Sequence, residues 1–245
     1  MAVADQIYTN QRYNSLRLNP FATLQQNELN INSLPAVNDA TVTNLWFAAR
    51  ANVMVIDDQQ LTAEGLAGGT ASAIQRPMAV SPMRANTLAP GAGAGGRHVA
   101  TGMIGAAGGA ALWVTELQTG CTVLILDWGG GQFSMLHLQP SQDNQFNSVG
   151  QAILNMGDTA RSAYQNVWLK QESTTVVQNT GAAPQRYIMI QSMFEASRGR
   201  VTQVVGVLQA AGYQFFRQRP QLHGNHIVQQ LQWSTWRSYM PYFSY

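Results

Sequence analysis

After residue 40 the chain alternates short apolar, β-branched and aromatic runs with polar or glycine-rich breaks. That pattern belongs to strands and turns more than to long helices. Residues 41–48 (Thr-Val-Thr-Asn-Leu-Trp-Phe-Ala) and 52–57 (Asn-Val-Met-Val-Ile-Asp) read as two strands joined by a short polar turn. Residues 112–117 form a third strand, broken by Gln118-Thr119-Gly120. Residues 121–126 are then a continuous apolar run of buried-strand length. Asp127-Trp128-Gly129-Gly130-Gly131 supplies a turn, because glycine adopts positive φ at no steric cost. Residues 132–138 run back until Pro140, so 121–138 is predicted to be a hairpin.

Beyond it the spacing of Ile153, Met156, Ala160, Tyr164 and Trp168 predicts a helix within residues 148–172. Strands are expected again at 174–178, 187–193, 201–208 and 213–217. Residues 1–40 are polar, Asn/Gln-rich and punctuated by Pro20 and Pro35, and read as an irregular or partly helical arm. Residues 66–111 are rich in Gly, Ala and Pro and read as a long surface loop or linker. No internal repeat occurs. The order of elements predicts one α+β domain over residues 41–245, with a mostly antiparallel or mixed, sandwich-like sheet core flanked by helices.

Composition narrows the function classes. Only 11% of the 245 residues are charged, against roughly a quarter in an average soluble protein, and the net charge is +2. Neither figure indicates a nucleic-acid footprint, so no nucleic-acid partner is expected. No apolar stretch reaches the roughly 18 residues that span a bilayer, and the first 20 residues lack the apolar core of a secretory signal. A single cysteine, Cys121, excludes an internal disulfide and a Cys-rich zinc site. Thirteen of the 14 basic residues are Arg and only Lys170 is Lys. Codon bias explains this, and so does selection against ubiquitin-acceptor lysines in a protein that works inside a eukaryotic cell.

Cys121 opens the first hairpin strand, directly after Gly120, and His137 lies in the returning strand. A turn centred on Gly129 sets the two directly opposite each other, with Cβ atoms about 5 Å apart. An imidazolium at that distance lowers the thiol pKa and creates a nucleophile at neutral pH. A slip of one residue in register would separate them onto opposite faces. Taken singly, each residue has a simpler reading, a buried small hydrophobe and a satisfied strand histidine.

Gln118-Thr119-Gly120-Cys121, followed after a strand and a glycine turn by His137, resembles the Ser-Gly-Cys plus His arrangement of the cytotoxic necrotizing factor and Burkholderia lethal factor type of glutamine deamidases. The chemotaxis-receptor deamidases are a more distant likeness. The lethal-factor motif is Leu-Ser-Gly-Cys, so Gln118 stands for Leu and Thr119 for Ser, and the Cys–His spacing is a few residues longer here. The family also carries a Thr six residues before the cysteine, where this chain has Thr115.

The likeness covers residues 112–140. It implies Cys121 as nucleophile, His137 as proton carrier, Thr115 as the group that orients His137, and Thr119 and Gly120 against the substrate. No cofactor or metal is implied. The implied reaction hydrolyses a glutamine side chain of a host protein to glutamate through a thioester. The implied partner is a GTPase in one branch of the family and a translation-initiation helicase in another. Such a toxin or effector is secreted or delivered without a classical signal peptide and acts in the host cytosol. Transglutamination and peptide hydrolysis share the same thioester chemistry, and a non-enzymatic Gln/Asn-rich binding or assembly protein is the rival from another class.

Other motifs carry less. His223-Gly224-Asn225-His226 lacks a third ligand for a metal. Residues 91–96 lack the flanking strand and Lys-Ser/Thr of a phosphate loop. Asp57-Asp58 reads as a solvated turn. Arg198, Arg200, Arg217 and Arg219 near Phe215, Phe216 and Trp236 read as a protein-facing surface or plain packing.

Overall fold

The structure, a computed structural model, describes residues 2–37, 40–81, 83–85, 104–105, 110–118, 122–139, 184–191, 202–219 and 226–235. The expected helix at 148–172, the strand at 174–178 and Trp236 lie outside these residues.

Two sheets carry the α+β fold, as expected. Eight strands form a curled, mixed sheet: β1 (Glu28–Ile31), β2 (Thr41–Arg50), β3 (Val53–Asp57), β4 (Ile74–Ser81), β7 (Leu112–Thr115), β11 (Gln203–Gln209), β12 (Gly212–Arg219) and β13 (Ile227–Gln230). Their order is β1-β3-β2-β4-β7-β11-β12-β13, with β1–β3 and β4–β7 parallel and the other pairs antiparallel. The second sheet runs β14 (Ser234–Thr235), β10 (Arg186–Gln191), β8 (Thr122–Gly129), β9 (Gln132–Gln139) and β5 (Met83–Ala85), with β6 (Ile104–Gly105) also on β9. The hairpin is β8–β9, and its Gly129, Gly130 and Gly131 all have positive φ.

Alternation along the strands of the curled sheet sorts its side chains into two cores. Leu45, Phe47, Met54, Met78, Leu112, Val114, Val205 and Phe216 face one way. They pack on Tyr13 and Leu16 of helix α1 (Ala2–Leu18) and Leu24 of α2 (Pro20–Gln26). Ala79, Trp113, Val204, Tyr213 and Phe215 face the other way and meet Val123, Ile125, Phe133 and Met135 of the hairpin. Helix α3 (Gln60–Ala67) covers the rest of that second face, packing Ala63 and Ala67 on Ala48 and Val55.

Two expectations change here. Residues 2–31 are not an arm: Tyr13, Leu16 and Leu24 are buried, and the two helices fill the hollow of the curled sheet. Polar residues outnumber apolar ones in α1, so the few buried side chains leave only a faint periodicity. The Gly/Ala-rich stretch is not all loop either, because β4 lies in the middle of the large sheet between β2 and β7. Pro77 masks this strand in the sequence. Its missing N–H is tolerated because the β7 pairing spans only Ala79–Ser81, leaving Pro77 with a partner strand on one side.

The end strand β1 and the α2 segment before it are tied to β12 through one side chain. Gln218 of β12 donates Nε2 to the Leu24 and Asn27 carbonyls, at 2.6 Å each, and its Oε1 accepts the Leu29 N–H at 2.6 Å. This closes the curl over α2. Asp57 is buried at the end of β3, where it accepts hydrogen bonds from Asn32 and from the Gln59 N–H, rather than forming a solvated turn.

Candidate active site

His137 is placed by the hairpin. Odd-numbered residues of β9 point between the sheets, as Phe133 and Met135 do, and His137 continues that row with 1% of its surface exposed. The opposing sheet presents β7, whose Trp113 and Thr115 share the facing side. The Thr115 hydroxyl lies 2.7 Å from His137 Nδ1, with both groups buried. The structure therefore brings together two of the sequence-derived site residues from different sheets. Thr119, Gly120 and Cys121 lie outside the described residues.

The register corrects one expectation. Val123, not Cys121, is the residue directly opposite His137. The ladder from Thr122↔Leu138 to Asp127↔Phe133 is centred on Gly130, one residue later than a Gly129 midpoint.

Ser81, which the sequence did not single out, fixes the proton arrangement. Its carbonyl accepts from the Thr115 hydroxyl at 3.2 Å, and its own hydroxyl accepts from Trp113 Nε1 at 2.8 Å. Thr115 has one proton to give. Since the Ser81 carbonyl can only accept, both Thr115 contacts are satisfied when His137 Nδ1–H donates to the Thr115 oxygen. That tautomer leaves the Nε2 lone pair free, and Nε2 is buried with no hydrogen-bond partner among the described residues. Ser81 was invisible as a site residue because the parallel β4–β7 pairing that sets Ser81 beside Thr115 is non-local.

Burial pushes the His137 pKa down from 6.5 to about 4, so its resting form at neutral pH is the neutral imidazole. This revises the expectation of a standing imidazolium that activates a thiol. The ring is instead arranged to accept a proton at Nε2 when a reaction delivers one.

The remaining candidates separate cleanly. Phe215 and Phe216 are core residues on opposite faces of β12, so they are no stacking surface for nucleic acid. Phe215 belongs to an aromatic cluster with Trp113, Tyr213 and Trp233 at centroid distances of 5.8–6.0 Å. His226 is buried beside β13, while His223, Arg198 and Arg200 lie outside the described residues. Among the described residues no group of three or more His, Cys, Asp or Glu is placed to hold a metal ion, and no helix is long and apolar enough to cross a membrane. No protein-family model matches the chain, and no curated protein matches it.

Proposed function

We propose that this chain is a Cys–His amidohydrolase that converts a glutamine side chain of a host protein to glutamate, acting as a toxin or effector in the host cytosol. The observation that carries the reading is the state of His137: buried, neutral, held at Nδ1 by Thr115 and without a partner for Nε2 among the described residues. A buried polar atom without a partner costs free energy, and a proton-transfer role is one reason to keep it.

Cys121 is the proposed nucleophile. It stands two positions before Val123, the residue opposite His137. Nε2 takes the thiol proton as sulfur attacks the glutamine carboxamide carbon. The C–N bond breaks as Nε2–H returns the proton to the departing nitrogen, giving ammonia and a thioester. Water, deprotonated by Nε2, then releases glutamate and the free thiol. The sequence likeness over residues 112–140 points to the same chemistry, and the single lysine suits a long life among ubiquitin ligases.

The test compares wild type with Cys121→Ser after incubation in eukaryotic cell lysate, using mass spectrometry to find glutamines converted to glutamate. Conversion by wild type alone supports the reading and names the target. Glutamine joined to amines by wild type alone moves the assignment to transglutamination. Identical lysates, with a Cys121 inert to iodoacetamide, sink the enzyme reading in favour of a binding or assembly protein.

A further inference from the structure

Gln118 is fully buried, and neither its Oε1 nor its Nε2 has a hydrogen-bond partner among the described residues. Its direction follows from the strand pairing. Along β7 and β11, Leu112 pairs with Val207 and Val114 with Val205, yet Gln118 pairs with Thr202. Between the last two pairs β11 advances three residues and the β7 side advances four, so one extra residue forms a β-bulge. Two hydrogen bonds close the bulge, Gln118 N–H to the Thr202 carbonyl at 2.9 Å and Thr202 N–H to the Gln118 carbonyl at 3.0 Å.

Without the bulge, even-numbered Gln118 would share the face of Leu112 and Val114, against the apolar core around α1. With it, Gln118 shares the face of its partner Thr202, which is the face of Val204. That is the side from which Thr115 reaches His137. The pairing thus sets Gln118 on the strand face that looks between the sheets, three residues after Thr115 and three before Cys121 in sequence, with no partner for its carboxamide among the described residues.

We infer that the Gln118 side-chain amide is the oxyanion donor of the site, a role that rests on the Cys–His reading above. When sulfur adds to the glutamine carboxamide carbon, the carbonyl π pair moves onto oxygen, and the Gln118 NH₂ donates a hydrogen bond to that oxyanion. The charge returns to the carbonyl as the C–N bond breaks and ammonia leaves. An amide donor held ready in a buried place needs no reorganisation when the charge appears. Leu at this position, as in the motif the chain resembles, would fill the space without that donor.

The experiment uses Gln118→Leu in the full chain, with three readouts: conversion rate at the lysate glutamine that wild type deamidates, iodoacetamide modification of Cys121, and thermal melting. Conversion is expected to fall about 10²–10³-fold, as for loss of one oxyanion donor. Alkylation stays within about twofold of wild type, because it depends on the thiolate and needs no oxyanion. The melting temperature rises by about 2–4 °C as the unpaired amide is removed. Conversion at the wild-type rate overturns the assignment and leaves the Cys–His reading intact. Parallel loss of conversion and alkylation also overturns it, since Gln118 would then act by holding the cysteine segment. A wild type that converts no glutamine overturns both proposals. Where the Leu variant fails to fold, Gln118→Met, unbranched and of similar reach, carries the same three readouts.

Discussion

Acid should unfold this protein partly through one imidazole. His137 sits between the sheets with its pKa pushed from 6.5 to about 4 by burial, whereas in the unfolded chain it titrates near 6.5. A depressed folded-state pKa means that protonation favours the unfolded chain. The stability is fully present above pH 6.5 and is lost as pH falls from there to about 4, below which His137 adds no further slope. Each pH unit in that window is worth up to about 1.4 kcal/mol, and the whole interval roughly 3 kcal/mol. For a protein of ordinary stability that is a substantial fraction of the total. The assay is urea unfolding of wild type and His137→Gln at half-unit steps from pH 7.5 to 4. Carboxylates titrate alike in both proteins, so the difference between the two curves isolates the imidazole. Wild type should lose stability faster than the variant between about pH 6.5 and 4, by roughly 3 kcal/mol in all. Parallel curves, or a variant that loses more, would refute a buried neutral His137 and with it the proton arrangement built on Thr115 and Ser81.

Two further perturbations probe the frame that holds the site. In Gly206→Ala the new Cβ would lie 2.6 Å from Phe215 Cε1 and 3.1 Å from the Trp113 Cβ, so overpacking of about 1–3 kcal/mol should lower the melting temperature by several degrees; an unchanged melt would mean the aromatic cluster yields freely. Gln218→Leu keeps the volume but strips partners from the Leu29 N–H and the Leu24 and Asn27 carbonyls, so it should cost about 3 kcal/mol in urea unfolding and expose residues 18–30 to limited proteolysis. Wild-type resistance to both would show that the curl closes without this clamp.

The hairpin was legible because its signals are local. An apolar run, three consecutive glycines with positive φ and a returning strand need no distant partner to be recognised. Strands β2, β3, β7, β10, β11 and β12 were visible for the same reason, through β-branched and aromatic runs between turn residues. Helix α1 and strand β4 were not. The first has a polar sequence that becomes a core element only because a curled sheet surrounds it. The second carries Pro77 inside a Gly/Ala-rich stretch, and becomes central only when β2 and β7 pair on either side.

For the site, the sequence by itself determined the chemical inventory: one thiol, a histidine on the returning strand, a threonine on the strand before, and a glutamine three residues before the thiol. Tertiary structure decided what those residues are. Hairpin register made Val123 the partner of His137, because a ladder centred on Gly130 rather than Gly129 is a property of the turn's geometry and not of its composition. The packing of one sheet on the other set Thr115 against Nδ1 and removed the ring from water, which is what lowers its pKa. The parallel pairing of β4 with β7 supplied Ser81, and a single extra residue turned Gln118 to the same face. Each of these depends on contacts between residues far apart in the chain, and such contacts leave no mark in a local pattern.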